Sequence, residues 1–176
     1  MKYQKFIIIL VVFMFALAAC RKSDEPTEEE LSGAIPQEYN YASGSLGYPV
    51  LLNGVGIEVK QAGLPAVQED SNPNYVHVIL ELSATNESGS VVVPPGMTMV
   101  DDHNNIYVSW QEELPYESQI TRMPLSVNPG EGATGHLVYI VPKDATQDNL
   151  RLRWESELHQ SRIDVFLGSI GKRATP

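Results

Sequence analysis

Cysteine is almost absent from this chain, which has one cysteine, Cys20, in 176 residues. A single cysteine excludes an intramolecular disulfide and a cysteine-based zinc cluster. A folded core therefore has to rest on apolar packing, and the hydrophobic content of 43% is sufficient for one modest domain.

Basic side chains are also scarce, with 12 lysines and arginines against 22 acidic residues and a formal net charge of -10. Nucleic-acid binding needs clustered basic side chains that displace counterions from the phosphates. We therefore expect no nucleic-acid partner.

The chain lacks an apolar run of the roughly 20 residues that span a bilayer. Its longest run extends from Phe6 to Ala19 and follows Lys2 and Lys5, which is typical of a signal peptide over residues 1–19. The run ends in Leu-Ala-Ala-Cys, which resembles the lipobox of bacterial lipoproteins. The resemblance implies cleavage between Ala19 and Cys20, and a diacylglyceryl (palmitate-type) anchor on the Cys20 thiol at the extracytoplasmic face of the cell membrane. The alternative is an ordinary cleavage site beside a free thiol.

Residues 20–46 begin with Cys20 and continue with acidic, proline, serine and glycine residues that show no alternation. Such a composition cannot bury one face, so we expect an acidic, disordered tether. The adjacent carboxylates Glu28, Glu29 and Glu30 are expected to be solvated and not to form a cation site, because they are not preorganised.

Residues 47–176 contain short alternating runs separated by glycine, proline, asparagine and aspartate, which is typical of β-strands. Val76, Val78, Leu80 and Leu82 share one face, and the opposite face, which includes His77 and Glu81, is expected to meet solvent. The polar segment 101–105 predicts a hairpin turn. The spacing predicts an all-β, antiparallel sandwich of roughly seven to nine strands.

Two later runs fix a further prediction about sheet faces. Leu150, Leu152 and Trp154 should face the core together with Ile163, Val165 and Leu167. The opposite faces of these runs carry Arg151, Arg153 and Arg162. These arginines are candidates for a surface that binds an acidic wall polymer or protein, although cross-strand pairing with Glu155 or Asp164 is the favoured alternative.

An ordered series of motifs resembles a known family of domains. The series comprises Val76–Asn86, Val93-Pro94-Pro95, Asp101 with Tyr107, Val127-Asn128-Pro129-Gly130-Glu131, and the strand Gly135–Pro142. It resembles the immunoglobulin-like domains of Gram-positive bacterial lipoproteins, which are similar in fold to a secreted mycobacterial immunoprotective antigen. The resemblance implies an immunoglobulin-like sandwich and no particular reaction.

The remaining motifs favour structure over chemistry. The G-x-G-x-x-G pattern of Gly130, Gly132 and Gly135 precedes a β-rich run, whereas a dinucleotide site needs a helix there. Aspartates and asparagines at 101–105 could supply oxygen ligands to Ca²⁺, but turn formation explains them better. A copper(I) site would use thioether and imidazole ligands, and the candidates are Met97, Met99, Met123, His77 and His103. Packing of the methionines in the core is the favoured interpretation.

No serine-nucleophile elbow and no His-Glu-x-x-His motif occurs in the sequence. We therefore expect a protein that is not an enzyme and has no cofactor and no metal. The predicted function is that of a membrane-anchored extracytoplasmic lipoprotein, an interaction or accessory module of the bacterial cell envelope with a protein or cell-wall partner. A carrier of a small ligand or metal ion is the alternative.

Overall fold

The structure is a computed structural model, and it describes residues 39–65 and 73–170. The predicted signal peptide, the Cys20 anchor and the predicted tether up to residue 38 lie outside the described residues. Among the residues that are described, no helix is long and apolar enough to cross a membrane.

Nine β-strands and three short 3₁₀ segments make up the regular structure of the described residues. The strands are β1 (Asn40–Ser45), β2 (Val50–Leu52), β3 (Val55–Gly63), β4 (Tyr75–Asn86), β5 (Thr98–Val100), β6 (Ile106–Val108), β7 (Glu131–Pro142), β8 (Leu150–Ser156) and β9 (Ser161–Gly168). They form a five-stranded sheet in the order β1-β9-β8-β5-β6 and a four-stranded sheet in the order β2-β3-β4-β7. The predicted all-β sandwich is confirmed.

Strand β1 corrects two sequence predictions. The sequence predicts a tether that includes residues 40–45, yet these residues pair with β9, and this pairing is parallel whereas the other strand pairs are antiparallel. The strand was missed because its side chains are mostly exposed, and its place in the sheet comes from backbone hydrogen bonds to β9. The folded domain therefore begins by residue 40 and not at residue 47.

The predicted core faces are confirmed. The predicted core residues of β4 are at most 4% exposed, and those of β8 and β9 are at most 7% exposed; they are Val76, Val78, Leu80 and Leu82, and Leu150, Leu152, Trp154, Ile163, Val165 and Leu167. They belong to one core cluster between the sheets, together with residues from β2, β3 and β7. Period-two alternation thus identified the inward faces of the three strands.

A strap of residues 110–123 crosses the outer face of the four-stranded sheet. Leu114 and Tyr116 pack on Val138 there, and the Tyr116 hydroxyl shares a 2.7 Å hydrogen bond with Nδ1 of His77. His77 was predicted to lie on a solvent-facing side of β4, but it is only 5% exposed because the strap covers it.

Arg122 holds the strap in shape. Its guanidinium donates to both carboxylate oxygens of Glu117 at 2.7 Å and to the carbonyl of Trp110 at 2.7 Å. The hydrogen bond from Arg122 holds the pKa of Glu117 below its usual value. The strap also passes so close to β7 that a Cβ on Gly135 would lie 2.8 Å from the carbonyl oxygen of Arg122, which explains the glycine there.

Candidate functional site

The glycine pattern and the methionines have structural roles. Gly130 adopts a positive φ of 83° in the turn before β7, and the following residues continue as a strand. The segment therefore has no helix N-terminus that could hold a pyrophosphate, as the sequence context indicated. Met97, Met99 and Met123 are at most 5% exposed and belong to the core cluster, as packing predicts.

The candidate arginines lie on the outer face of the five-stranded sheet, where the register places Arg153 opposite Asp164 and Arg162 opposite Glu155. Arg153 donates from Nε to Asp164 Oδ1 at 2.8 Å and from Nη2 to Oδ2 at 3.2 Å. These hydrogen bonds raise the pKa of Arg153 above its usual value. Arg162 Nε lies 2.5 Å from Glu155 Oε1.

Arg151 completes this network, because its Nε lies 3.8 Å from Asp164 Oδ2 and its Nη2 donates to Asn104 Oδ1 at 2.9 Å. Asp164 is only 4% exposed and lies beside two arginines. Each predicted arginine is therefore engaged within the sheet, which favours the cross-strand pairing that the sequence offered as the alternative.

The same outer face carries apolar side chains that alternation alone did not single out. Ile106 and Val108 on β6 are 62% and 73% exposed, and Tyr41 and Phe166 at the other side are 53% and 41% exposed. Strand pairing places these residues on both sides of the arginine pairs. We call this surface, which extends from β1 to β6 on the outer side of the five-stranded sheet, the open face.

The open face combines aromatic, aliphatic and arginine side chains. Aromatic and arginine side chains are enriched at the centres of protein interfaces, and burial of exposed aliphatic side chains is favourable. The four-stranded sheet differs, because the strap covers part of its outer face, around His77 and Val138. The open face is not apparent from the sequence, because its residues come from five strands whose order depends on the tertiary structure.

Two aspartates and a histidine cluster where the turn between β5 and β6 meets the segment before β8. One ligand atom from each of Asp101, His103 and Asp148 lies within 4.8 Å of the others, beside a cavity of about 220 Å³. His103 Nδ1 is 3.5 Å from Asp148 Oδ2. These three residues are the candidate ligands for the alternative function, which is the carriage of a metal ion.

Asp101 is already saturated by hydrogen bonds. Its Oδ1 accepts from the backbone N–H groups of His103 and Asn105, and its Oδ2 accepts from Asn105 Nδ2 and the Tyr107 hydroxyl. Burial raises the pKa of Asp101, but these hydrogen bonds outweigh burial and leave the pKa below its usual value. Asp101 therefore organises the turn, which confirms the turn prediction for 101–105. Because both of its carboxylate oxygens already accept hydrogen bonds, the cluster has few oxygen lone pairs left to bind a cation.

No protein-family model matches this sequence, and no curated protein sequence matches it. A secreted protein from Mycobacterium tuberculosis, MPT63, is similar in structure, with a TM-score of 0.51 and 13% identity over 74% of this chain and 99% of that chain. The yjhA protein of Bacillus subtilis is also similar, with a TM-score of 0.50 and 14% identity over 70% of this chain and 98% of that chain.

The similarity to MPT63 confirms one part of the resemblance derived from the motifs, namely a fold shared with a secreted mycobacterial protein. At identities of 13% and 14% the two similarities show the fold alone. Membership of the immunoglobulin-like lipoprotein family stays a prediction.

Proposed function

We propose that this chain is a lipid-anchored, extracytoplasmic lipoprotein whose β-sandwich is a non-enzymatic interaction module of the bacterial cell envelope. The open face supports the proposed binding role, because exposed apolar side chains flank its paired arginines. These side chains are those of Ile106, Val108, Tyr41 and Phe166. The anchoring role rests on the lipobox-like sequence that ends at Cys20.

The paired arginines suit a protein partner better than an acidic polymer. Asp164 and Glu155 already offset most of the positive charge, so the face does not act as a simple cation patch. The exposed aliphatic and aromatic side chains would be buried by a protein surface, and the arginine stems would add apolar contact. We therefore assign the open face to a protein of the envelope.

The anchor is tested by Cys20→Ser. Without the thiol no diacylglyceryl group can be attached, so we expect cells grown with labelled palmitate to leave the variant unlabelled. The wild-type chain, expressed in parallel, should carry the label. Incorporation into the variant at the wild-type level would show that Cys20 is not the acylated residue.

The open face is tested by site-specific photocrosslinking in intact cells. A photoreactive residue in place of Val108 or Phe166 should give one discrete protein adduct, because both positions would lie inside the interface. The matched control is Gln119, which is exposed on the strap over the other sheet. Adding Val108→Glu should abolish the adduct at position 166, since a charge would be desolvated at the contact. Equal adducts from all three positions would contradict a docking role of the open face.

A further inference from the structure

One end of the sandwich gathers the loops around the point where the described chain begins. The Asn40 N–H donates to the carbonyl of Gln160 at 2.7 Å, so residue 39 lies beside the turn between β8 and β9. His159 in that turn shares a 2.9 Å hydrogen bond with Ser90 in the loop after β4. Asn53, in the turn between β2 and β3, donates to Ser161 at 2.7 Å.

The loop before β7 belongs to the same end. Val92 and Val127 form a β-bridge, and Asn86 Nδ2 donates to the carbonyls of Ser90 and Val127 at 2.8 and 2.7 Å. Asn86 is 1% exposed, so this network is buried and fixes the loops to each other. We call these loops, residues 53–54, 87–93, 124–130 and 157–160, the entry pole.

The entry pole exposes four aliphatic side chains. Leu158 and Leu125 are 79% and 75% exposed, and Val91 and Val93 are 52% and 51% exposed. Covering leucines this exposed with an apolar surface is favourable, because it removes their side chains from water. The turn between β5 and β6, with Asp101 and Asp102, lies at the opposite end of the sandwich.

We propose that the entry pole rests on the lipid bilayer, with the four aliphatic side chains inserted among the headgroups; this rests on the proposed lipid anchor at Cys20. The described chain begins at this pole, and the sequence places Cys20 fewer than 20 residues before it. A segment of that length extends at most about 3.5 Å per residue, so the pole is held at high effective concentration near the surface. The anchor therefore needs only weak contacts to keep the pole on the bilayer.

Charge determines which lipids the pole favours. Glu87 and Glu157 are exposed on these loops, Glu131 is exposed beside them at the start of β7, and anionic headgroups repel all three. Contact is therefore stronger on zwitterionic phosphatidylcholine than on a bilayer rich in phosphatidylglycerol.

Contact through the entry pole also orients the domain. Because the strands run away from the pole, the open face is then perpendicular to the bilayer, where a neighbouring envelope protein can bind it.

The test uses the chain from Cys20 onward, coupled through the Cys20 thiol to a maleimide-headgroup lipid in phosphatidylcholine nanodiscs. Chemical coupling replaces biological acylation, so a failure here is distinct from a failure of the Cys20→Ser experiment. With nitroxide-labelled lipid in the disc, amide NMR signals of Leu125 and Leu158 should be lost. Signals of Asp102 and Asn104, at the opposite end, should remain.

The double variant Leu125→Glu with Leu158→Glu should recover the lost signals of the entry pole, since a carboxylate loses hydration at the boundary between headgroups and acyl chains, where a leucine is favoured. Tyr48→Glu is the matched control, because Tyr48 is 70% exposed and lies beyond the far end of β1. This control should keep the wild-type pattern. Equal signal loss at both ends, or unchanged loss in the double variant, would overturn the proposal, as would retention of the Leu125 and Leu158 signals in the wild-type chain.

Discussion

Leu80→Asp is expected to unfold the domain. Leu80 is 0% exposed at the centre of β4, where it pairs with Ala62 of β3 and Leu137 of β7. The register gives a carboxylate at this position only apolar neighbours, and an unpaired buried charge costs several kcal/mol. A domain is stable by about 5–15 kcal/mol in total, so little or no folded state should remain.

Glu81→Ala is the matched control, one residue along the same strand. Glu81 points to the outer side of the sheet and is partly exposed, so its removal should shift the melting temperature only slightly. Thermal denaturation followed by circular dichroism compares the two variants. If both variants melted alike, the assignment of the inward face of β4 would be wrong.

Asp164→Ala should give the second largest loss of stability. Arg153 and Arg151 both approach the Asp164 carboxylate, whose side chain is only 6% exposed. The substitution leaves Arg151 and Arg153, each 15% exposed, without their nearest carboxylate, and Glu155 remains only at 4.0 Å from Arg153 Nε. Breaking a buried pair from one side costs about 3–5 kcal/mol, and we expect a loss of that order in the free energy of unfolding.

Glu155→Ala is the control for this ionic pair. Its partner Arg162 is 38% exposed and Glu155 is 43% exposed, so their interaction is screened by solvent. Pairs of this kind contribute about 0–1 kcal/mol, and urea denaturation should show a correspondingly small change in the midpoint. Similar midpoints for the two variants would contradict the conclusion that Asp164 is a buried ionic partner of the arginines on the open face.

The sequence by itself determined the features that depend on neighbouring residues. Alternation identified the inward faces of β4, β8 and β9, because successive side chains of a strand point to opposite sides of its sheet. The polar residues 101–105 predicted the β5–β6 turn, since aspartate can accept hydrogen bonds from the backbone just after it and asparagine tolerates positive φ.

Other features were decided only by the tertiary structure, because they depend on contacts between residues far apart in the chain. Strand β1 has no apolar alternation, and the backbone groups of β9 hold it in the sheet. His77 alternates as a solvent-facing residue, but the strap buries it. Likewise, the pairing of Arg153 with Asp164 and the gathering of Leu125 and Leu158 at the entry pole follow from strand order and register, which local periodicity does not encode.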